Sequence, residues 1–201
     1  GWPWKDIAEF VVRQREHAIS SIRLAAAVCE ECDKLYEGKP GDDTTVAVMQ
    51  IIDRRPVHLM TGPPVDRDDD ERIISEFMKD ETASRIVSGG TSATILSREL
   101  GRPLKVSMDY TDPEIPPIAY MDGIELVTEG VLTLSRVVDI LNRFVEKKDL
   151  SYDFFKELDK NNGASMLAKI LIEDCTELNL YVGKAINSAY QNPGLPFDLG
   201  I

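Results

Sequence analysis

Apolar side chains recur every three or four residues along the first part of the chain, from about Trp4 to Gly38. Because that spacing places them on one face of a helix, it predicts two amphipathic helices, parted near residues 18–21. The Gly38-Lys39-Pro40-Gly41 turn is expected to end the second helix, since glycine suits a left-handed cap and proline cannot continue a helix. The following stretch, 44–52, is apolar and rich in β-branched residues, which predicts a buried strand.

The pattern changes after the charged break Asp53-Arg54-Arg55-Pro56, where we place a domain boundary. Short apolar runs then alternate with helical spacing, and the predicted elements are strands at 57–60, 84–87 and 104–108 and helices at 68–79 and 91–100. This β-α-β-α-β order favours a parallel sheet with right-handed crossovers. The side chains expected to be buried in that sheet are Val57, Leu59, Ile86, Val87, Leu104 and Val106.

The rest of the chain predicts a hairpin and then more helices. Asp122-Gly123 is a turn signal between two short apolar runs within 118–127. The later predicted elements are helices at 132–147, 151–158 and 164–173 and a strand at 177–182. The sequence therefore predicts an α/β protein in two parts, residues 1–55 and residues 56–201, the second being a small α/β domain with a mainly parallel sheet.

Composition narrows the classes of function. The chain has 201 residues, of which 43% are hydrophobic and 29% charged, as in an ordinary globular protein. A net charge of −12 repels nucleic acid and anionic membranes, so we expect no nucleic-acid partner. No apolar run reaches the roughly 20 residues that span a bilayer, so we expect no membrane insertion and a cytoplasmic location. With three cysteines and two histidines, any bound metal would take mainly carboxylate ligands.

The most informative motif is Gly41-Asp42-Asp43-Thr44, a pair of acids in a turn directly before the strand predicted at 44–52. Carboxylates held on a rigid element bind hard cations such as Mg²⁺ or Mn²⁺. A solvated turn is the alternative interpretation, because aspartate is common in turns whatever the function.

In its context of amphipathic helix, short turn and strand, this motif resembles the last aspartate motif of the PPM-type metal-dependent serine/threonine phosphatases, in the branch of stage II sporulation protein E. The resemblance implies that Asp42 ligates one ion of a two-metal Mn²⁺ or Mg²⁺ site, and that Asp43 stands where relatives have Asp or Asn. Such a site activates water for attack on a phosphoserine or phosphothreonine. The implied substrate is a regulatory phosphoprotein of the anti-sigma-factor antagonist kind.

The family's other metal-binding carboxylates come from two earlier acidic motifs, and neither occurs here. The Asp-Gly pair of this chain, Asp122-Gly123, lies far downstream of Asp42. We therefore expect the chain to correspond to the C-terminal portion of such a phosphatase and to be inactive by itself. Residues 57–201 resemble the extra C-terminal region of some clostridial-type members, a resemblance that brings no settled activity.

Two glycine-containing strings each follow a predicted strand and precede a helix: Thr61-Gly62-Pro63-Pro64 and Ser88-Gly89-Gly90-Thr91-Ser92. Because parallel strands end at the same edge of a sheet, we expect the two loops to lie side by side. Their free amides and hydroxyls suit an anion such as phosphate. The strings 128–130 and 182–184 are candidates for the same rim, with Lys184 as its cation. The alternative is that Ser88 or Thr91 simply caps the helix.

Three other features are interpreted structurally. The acidic run Asp66–Glu71 is expected to cap a helix, since acids favour a helix N-terminus. Cys29 and Cys32 are expected to pack on the apolar face of their helix, and neither His17 nor His58 is given a catalytic role. The alternative to a phosphatase fragment is a regulatory module that binds a small anion or docks a protein, and a homodimer is left open.

Overall fold

The computed structural model describes residues 1–16, 19–39, 43–108, 112–146 and 151–185. The chain divides into two compact units, one of residues 1–53 with 142–159, the other of residues 54–141 with the chain from Lys160 onward. The α-helices of the described ranges are α1 Trp4–Arg15, α2 Ser21–Leu35, α3 Asp70–Met78, α4 Gly90–Leu100, α5 Val131–Val145, α6 Tyr152–Leu158 and α7 Gly163–Lys169. A 3₁₀ turn at Arg67–Asp69 precedes α3, and a π-helical turn at Ile170–Asp174 follows α7. The strands are β1 Pro56–Thr61, β2 Ser84–Ser88, β3 Lys105–Val106, β4 Ala119–Met121, β5 Ile124–Thr128 and β6 Glu177–Val182.

The first unit is helical. Ser20 caps α2, its side chain accepting a hydrogen bond from the Arg23 amide. The Arg23 guanidinium donates to both carboxylate oxygens of Asp159, at 2.8 and 2.9 Å, and lies 5.0 Å from the centre of the Phe155 ring. Such a two-pronged contact is stronger than a single surface ion pair. It therefore holds α2 against α6.

The strand predicted at 44–52 is wrong. Residues 43–55 form neither helix nor strand, and the side chains of Met49 and Ile51 are 95% and 96% exposed. A composition rich in β-branched residues shows only that a segment would suit a half-buried position in a sheet, next to a partner strand. No strand in the described ranges pairs with this segment, so its backbone has no ladder to join.

The two thiols of α2 do not share a buried face. Cys29 is exposed and Cys32 is partly buried, so the expectation that both pack in the apolar face is wrong for Cys29. The buried residues of this helix are Leu24 and Val28, which places Cys29 one position past the buried stripe. Although the residue is exposed, desolvation of its thiol by the surrounding helix, and then the neighbouring Cys32, raise the pKa of Cys29.

The second unit contains a six-stranded sheet of order β3-β4-β5-β2-β1-β6. Strands β5, β2, β1 and β6 pair in parallel, whereas β3 pairs antiparallel with β4 and β4 antiparallel with β5. The α/β fold with a mainly parallel sheet is thus confirmed. The predicted hairpin is also present, with Gly123 in its turn at a φ of 75°.

The third strand of the predicted parallel series is misplaced. β3 lies at the sheet edge, where Val106 pairs antiparallel with Ala119 and is 62% exposed, while Leu104 is only partly buried. The reason is that β5 occupies the place beside β2. The other four expected core residues are buried as predicted: Val57, Leu59, Ile86 and Val87.

Helices α3 and α4 cover one face of the sheet. Their apolar side chains form a core cluster with residues of β1, β2 and β5, and its members include Met60, Ile74, Phe77, Val87, Ala93, Leu96 and Val127. Asp70, at the start of α3, is buried and accepts a hydrogen bond of 2.6 Å from Arg98 of α4. The predicted cap is present at Asp66, whose side chain accepts from the Asp68 amide at the start of the 3₁₀ turn Arg67–Asp69, whereas among the described residues no side chain caps α3 itself. Within the part of the chain that the structure describes, none of the helices has the length and apolar character needed to cross a membrane.

Candidate functional site

Three parallel strands of the second unit end at one edge of the sheet. The register pairs Thr61 with Ser88 and Ser88 with Thr128, so the last residues of β1, β2 and β5 lie side by side. Beyond β6, the amide of Gly183 donates to the carbonyl oxygen of Thr61 at 2.9 Å. The structure therefore brings together the two loops that the sequence placed at the same edge.

A cavity of about 500 Å³ opens at this edge. Its lining comes from the loop after β1, the turn between β2 and α4, and one face of α5: Thr61, Gly62, Pro63, Ser88, Gly89, Gly90, Thr91, Ser92, Gly130, Val131, Leu134, Ser135, Val138 and Asp139. Open α/β sheets bind their ligands outside the carboxyl ends of the strands, and this cavity occupies that position.

Two helices begin next to each other at the cavity. Gly89, at a φ of 123° that only glycine adopts readily, turns the chain from β2 into α4, and its amide donates to the carbonyl oxygen of Thr128. A Cβ built on Gly130, the residue before α5, would lie 3.5 Å from the Gly89 Cα. Each helix N-terminus carries unpaired amides and a partial positive charge. The close approach of the two glycines therefore sets two such termini side by side.

Among the described residues, no side chain caps the first turn of α4. The amide of Ala93 is the first to bond back into the helix, donating to the Gly89 carbonyl at 3.0 Å. The amides of residues 90–92 come before it and have no intrahelical acceptor. The expected cap by Ser88 or Thr91 is therefore not formed. Instead the Ser88 hydroxyl donates to the carbonyl oxygen of Glu129 at 2.9 Å and ties β2 to the chain after β5.

Ser92 is the most informative side chain of the site. It lines the cavity, is 2% exposed, and its Oγ has no hydrogen-bond partner among the residues that the structure describes. An unpaired buried polar group costs about 1–3 kcal/mol, so native structures rarely keep one without a reason. A ligand acceptor in the cavity would supply the missing partner.

The charge around the cavity differs from the expectation. Lys184 is exposed and is not among the lining residues, so the structure does not bring the predicted cation to the site. The ionisable group in the described lining is Asp139. Attraction for an anion must therefore come from the helix amides and hydroxyls rather than from a basic side chain.

A smaller cavity of about 260 Å³ lies beside the larger one and shares Gly62, Pro63 and Ser92 with it. Its other lining residues are mostly apolar, with Arg72 as the basic side chain. The Arg72 guanidinium donates to Asp69 at 2.9 Å.

The predicted metal ligands give no comparable site. Asp42 lies outside the described residues, and Asp43 is exposed on a segment without helix or strand. Among the described residues, no group of three or more histidine, cysteine or acidic side chains is placed to hold a metal ion. These residues provide no donor set for two metals, and no metal-dependent step follows from their geometry.

The α5 face of the cavity was not predicted from the sequence. The helix itself and the candidate residues 128–130 were predicted, but the pairing of β5 with β2 was not. That pairing puts the start of α5 at the same edge as α4. The available signal was the spacing of residues 131, 134, 135, 138 and 139, which belong to one helix face.

Comparisons with known proteins give no assignment: no family model, no curated protein and no solved structure matches this chain. The resemblance to PPM-type phosphatases therefore stays a prediction. The same holds for its implied two-metal site, its phosphoprotein substrate and a homodimer.

Proposed function

We propose that the second unit is a regulatory module that binds a small phosphate-bearing ligand in the larger cavity. The observation that carries the proposal is the buried hydroxyl of Ser92, at the start of α4, for which the described part of the chain offers neither a hydrogen-bond partner nor a helix cap. That hydroxyl and the free amides of residues 90–92 offer donors to one acceptor group. Phosphate, with three or more strong acceptor oxygens, suits converging donors at helix N-termini.

The net charge of −12 does not exclude this ligand. Charges farther away than about 8 Å are largely screened at physiological salt, whereas hydrogen bonds act at contact distance. Each bond to a charged acceptor contributes about 1.5–3 kcal/mol. Three or four such donors therefore give weak to moderate affinity without a basic side chain.

A regulatory module of this kind would pass the effect of ligand binding on to another activity. By resemblance alone, that activity is the one of a PPM-type phosphatase, to which the segment bearing Asp42 would belong. Calorimetric titration of the whole chain with inorganic phosphate, against sodium chloride at equal ionic strength, tests the binding step. We expect saturable binding of phosphate at millimolar concentration or below. If phosphate gives no more heat of binding than sodium chloride does, the proposal is contradicted.

A matched pair of variants locates the site. Gly90→Val adds a side chain at the start of α4, where a Cβ meets no atom within 4 Å, so the fold should persist while the ligand's place is filled. Lys184→Ala removes an exposed charge outside the lining and should leave the affinity unchanged. The site is misassigned if Gly90→Val binds phosphate normally, or if Lys184→Ala abolishes binding.

A further inference from the structure

The larger cavity has room for much more than a phosphate ion. Its volume of about 500 Å³ lies within the range of pockets that hold small organic molecules, about 300–1,000 Å³. A water molecule takes up about 30 Å³ in the liquid, and a phosphate group, with its five heavy atoms, takes up only a few times that volume. A phosphate at the amides of residues 90–92 would therefore leave most of the cavity unfilled. The remaining space is bounded by α5.

The face of α5 that lines this space carries both apolar and polar side chains. Val131, Leu134 and Val138 are apolar, whereas Ser135 and Asp139 are exposed and bring a hydroxyl and a carboxylate beyond the first turn of the helix. Asp139 follows Val131 by eight residues, which at a rise of 1.5 Å per residue is about 12 Å along the axis. Asp139 thus lies about two turns of α5 beyond the helix start, which adjoins Gly89.

The chemistry of the Asp139 carboxylate restricts which ligand groups can lie beside it in the cavity. A carboxylate accepts hydrogen bonds but donates none, and its two oxygens can accept from two neighbouring donors. It repels a second anionic group and favours hydroxyl groups, as acidic residues do at ribose hydroxyls in other α/β sites. The ligand therefore carries one anionic end and one hydroxylated end.

We infer that the ligand is a phosphate monoester of a hydroxylated molecule, the ribose phosphate group that pentose phosphates and nucleoside monophosphates share. Its phosphate lies at the start of α4, and Ser135 and Asp139 select the hydroxylated part. This inference rests on the proposed function, since it needs the phosphate position that Ser92 defines.

Calorimetric titration of the whole chain with inorganic phosphate, ribose 5-phosphate and AMP tests the inference. At least one of the two esters should bind ten times or more tightly than inorganic phosphate. The better ester identifies the source, a pentose phosphate or a nucleotide. Asp139→Ala should weaken binding of that ester roughly 10- to 100-fold, the usual effect of losing hydrogen bonds to a charged group.

Two controls make the result specific. Inorganic phosphate should bind Asp139→Ala within about threefold of the parent chain, because Asp139 stands about 12 Å along α5 from the helix start and a phosphate at residues 90–92 offers it no hydrogen-bond donor. Glu125→Ala removes the same charge from an exposed position of β5 outside the lining, and should leave all three affinities unchanged.

The outcomes separate the two proposals. If inorganic phosphate binds as tightly as both esters, or if Asp139→Ala binds the better ester as well as the parent does, the hydroxyl-selecting role is overturned while phosphate binding stands. If none of the three ligands binds, both proposals fail.

Discussion

Replacing Ser92 by alanine should change the free energy of unfolding and the ligand affinity in opposite directions. In the ligand-free chain the Ser92 hydroxyl is buried without a partner among the described residues. Removing an unsatisfied buried polar group recovers about 1–3 kcal/mol, and alanine is the better helix former by a few tenths of a kcal/mol. For a protein of this size, each kcal/mol raises Tm by about 2–4 °C. Ser92→Ala should therefore melt several degrees higher than the parent.

The affinity for phosphate should fall in the same variant. Loss of a hydrogen bond to a charged acceptor removes about 1.5–3 kcal/mol of binding free energy, a roughly 10- to 100-fold weaker Kd. Urea unfolding without ligand measures the first effect, and calorimetric titration with phosphate measures the second. A structural serine would give a different result, namely lower stability and unchanged affinity.

Thr133→Val is the matched control. Thr133 is also fully buried and its hydroxyl is likewise unpartnered within the described ranges, but it does not line the larger cavity. This nearly isosteric change should stabilise the chain without altering phosphate affinity. The account of Ser92 is refuted if Ser92→Ala destabilises the ligand-free chain, or if it binds phosphate as tightly as Thr133→Val does.

Three further predictions concern the glycine turns at the site and the Asp80 carboxylate at the other end of the strands. Gly89→Ala should destabilise the chain by about 1–3 kcal/mol in urea unfolding because φ is 123°, whereas Gly90→Ala, with open space at its Cβ, should be neutral or slightly stabilising; equal effects would contradict the turn geometry. Hydrogen bonds from Thr82, and then the Arg54 guanidinium, lower the pKa of Asp80 to about 2. The stabilising effect of the Asp80 carboxylate should therefore be complete above about pH 4 and lost as the pH falls through 2. In an NMR titration, Thr82→Ala should raise that pKa towards 3.8, and an unchanged pKa would contradict the role of Thr82. Gly183→Ala should lower Tm and weaken phosphate binding, because the added Cβ would collide with the carbonyl oxygen of Pro63 in the loop after β1; an unchanged melting curve would contradict that close approach.

The sequence was sufficient to predict strand pairing where the local pattern of apolar residues agrees with the tertiary packing. The alternation of strands and helices from residue 56 onward predicted the parallel pairing of β1 with β2, and with it the adjacency of the 61–64 and 88–92 loops. Those loops follow from a general property of parallel sheets, since neighbouring strands end at the same edge. The core at Val57, Leu59, Ile86 and Val87 followed for the same reason.

Prediction failed where partner choice is non-local. Residues 44–52 have the composition of a buried strand, but composition does not supply a neighbouring strand. Val106 was assigned to the core because the order of elements cannot show that the hairpin strand β5 takes the place beside β2. The position of Asp139 at the cavity was not predicted for the same reason, since the place of β5 in the sheet determines where α5 begins.

The amide signals of residues 90–92 offer the most direct test of a phosphate site in the larger cavity. A ¹H–¹⁵N NMR titration of the whole chain with inorganic phosphate should shift the amides of Gly90, Thr91 and Ser92 most strongly, along one saturating curve, with sodium chloride at matched ionic strength producing no such shifts. The claim is contradicted if these three amides stay unchanged at tens of millimolar phosphate, or if the saturating shifts centre on Arg72 in the smaller cavity.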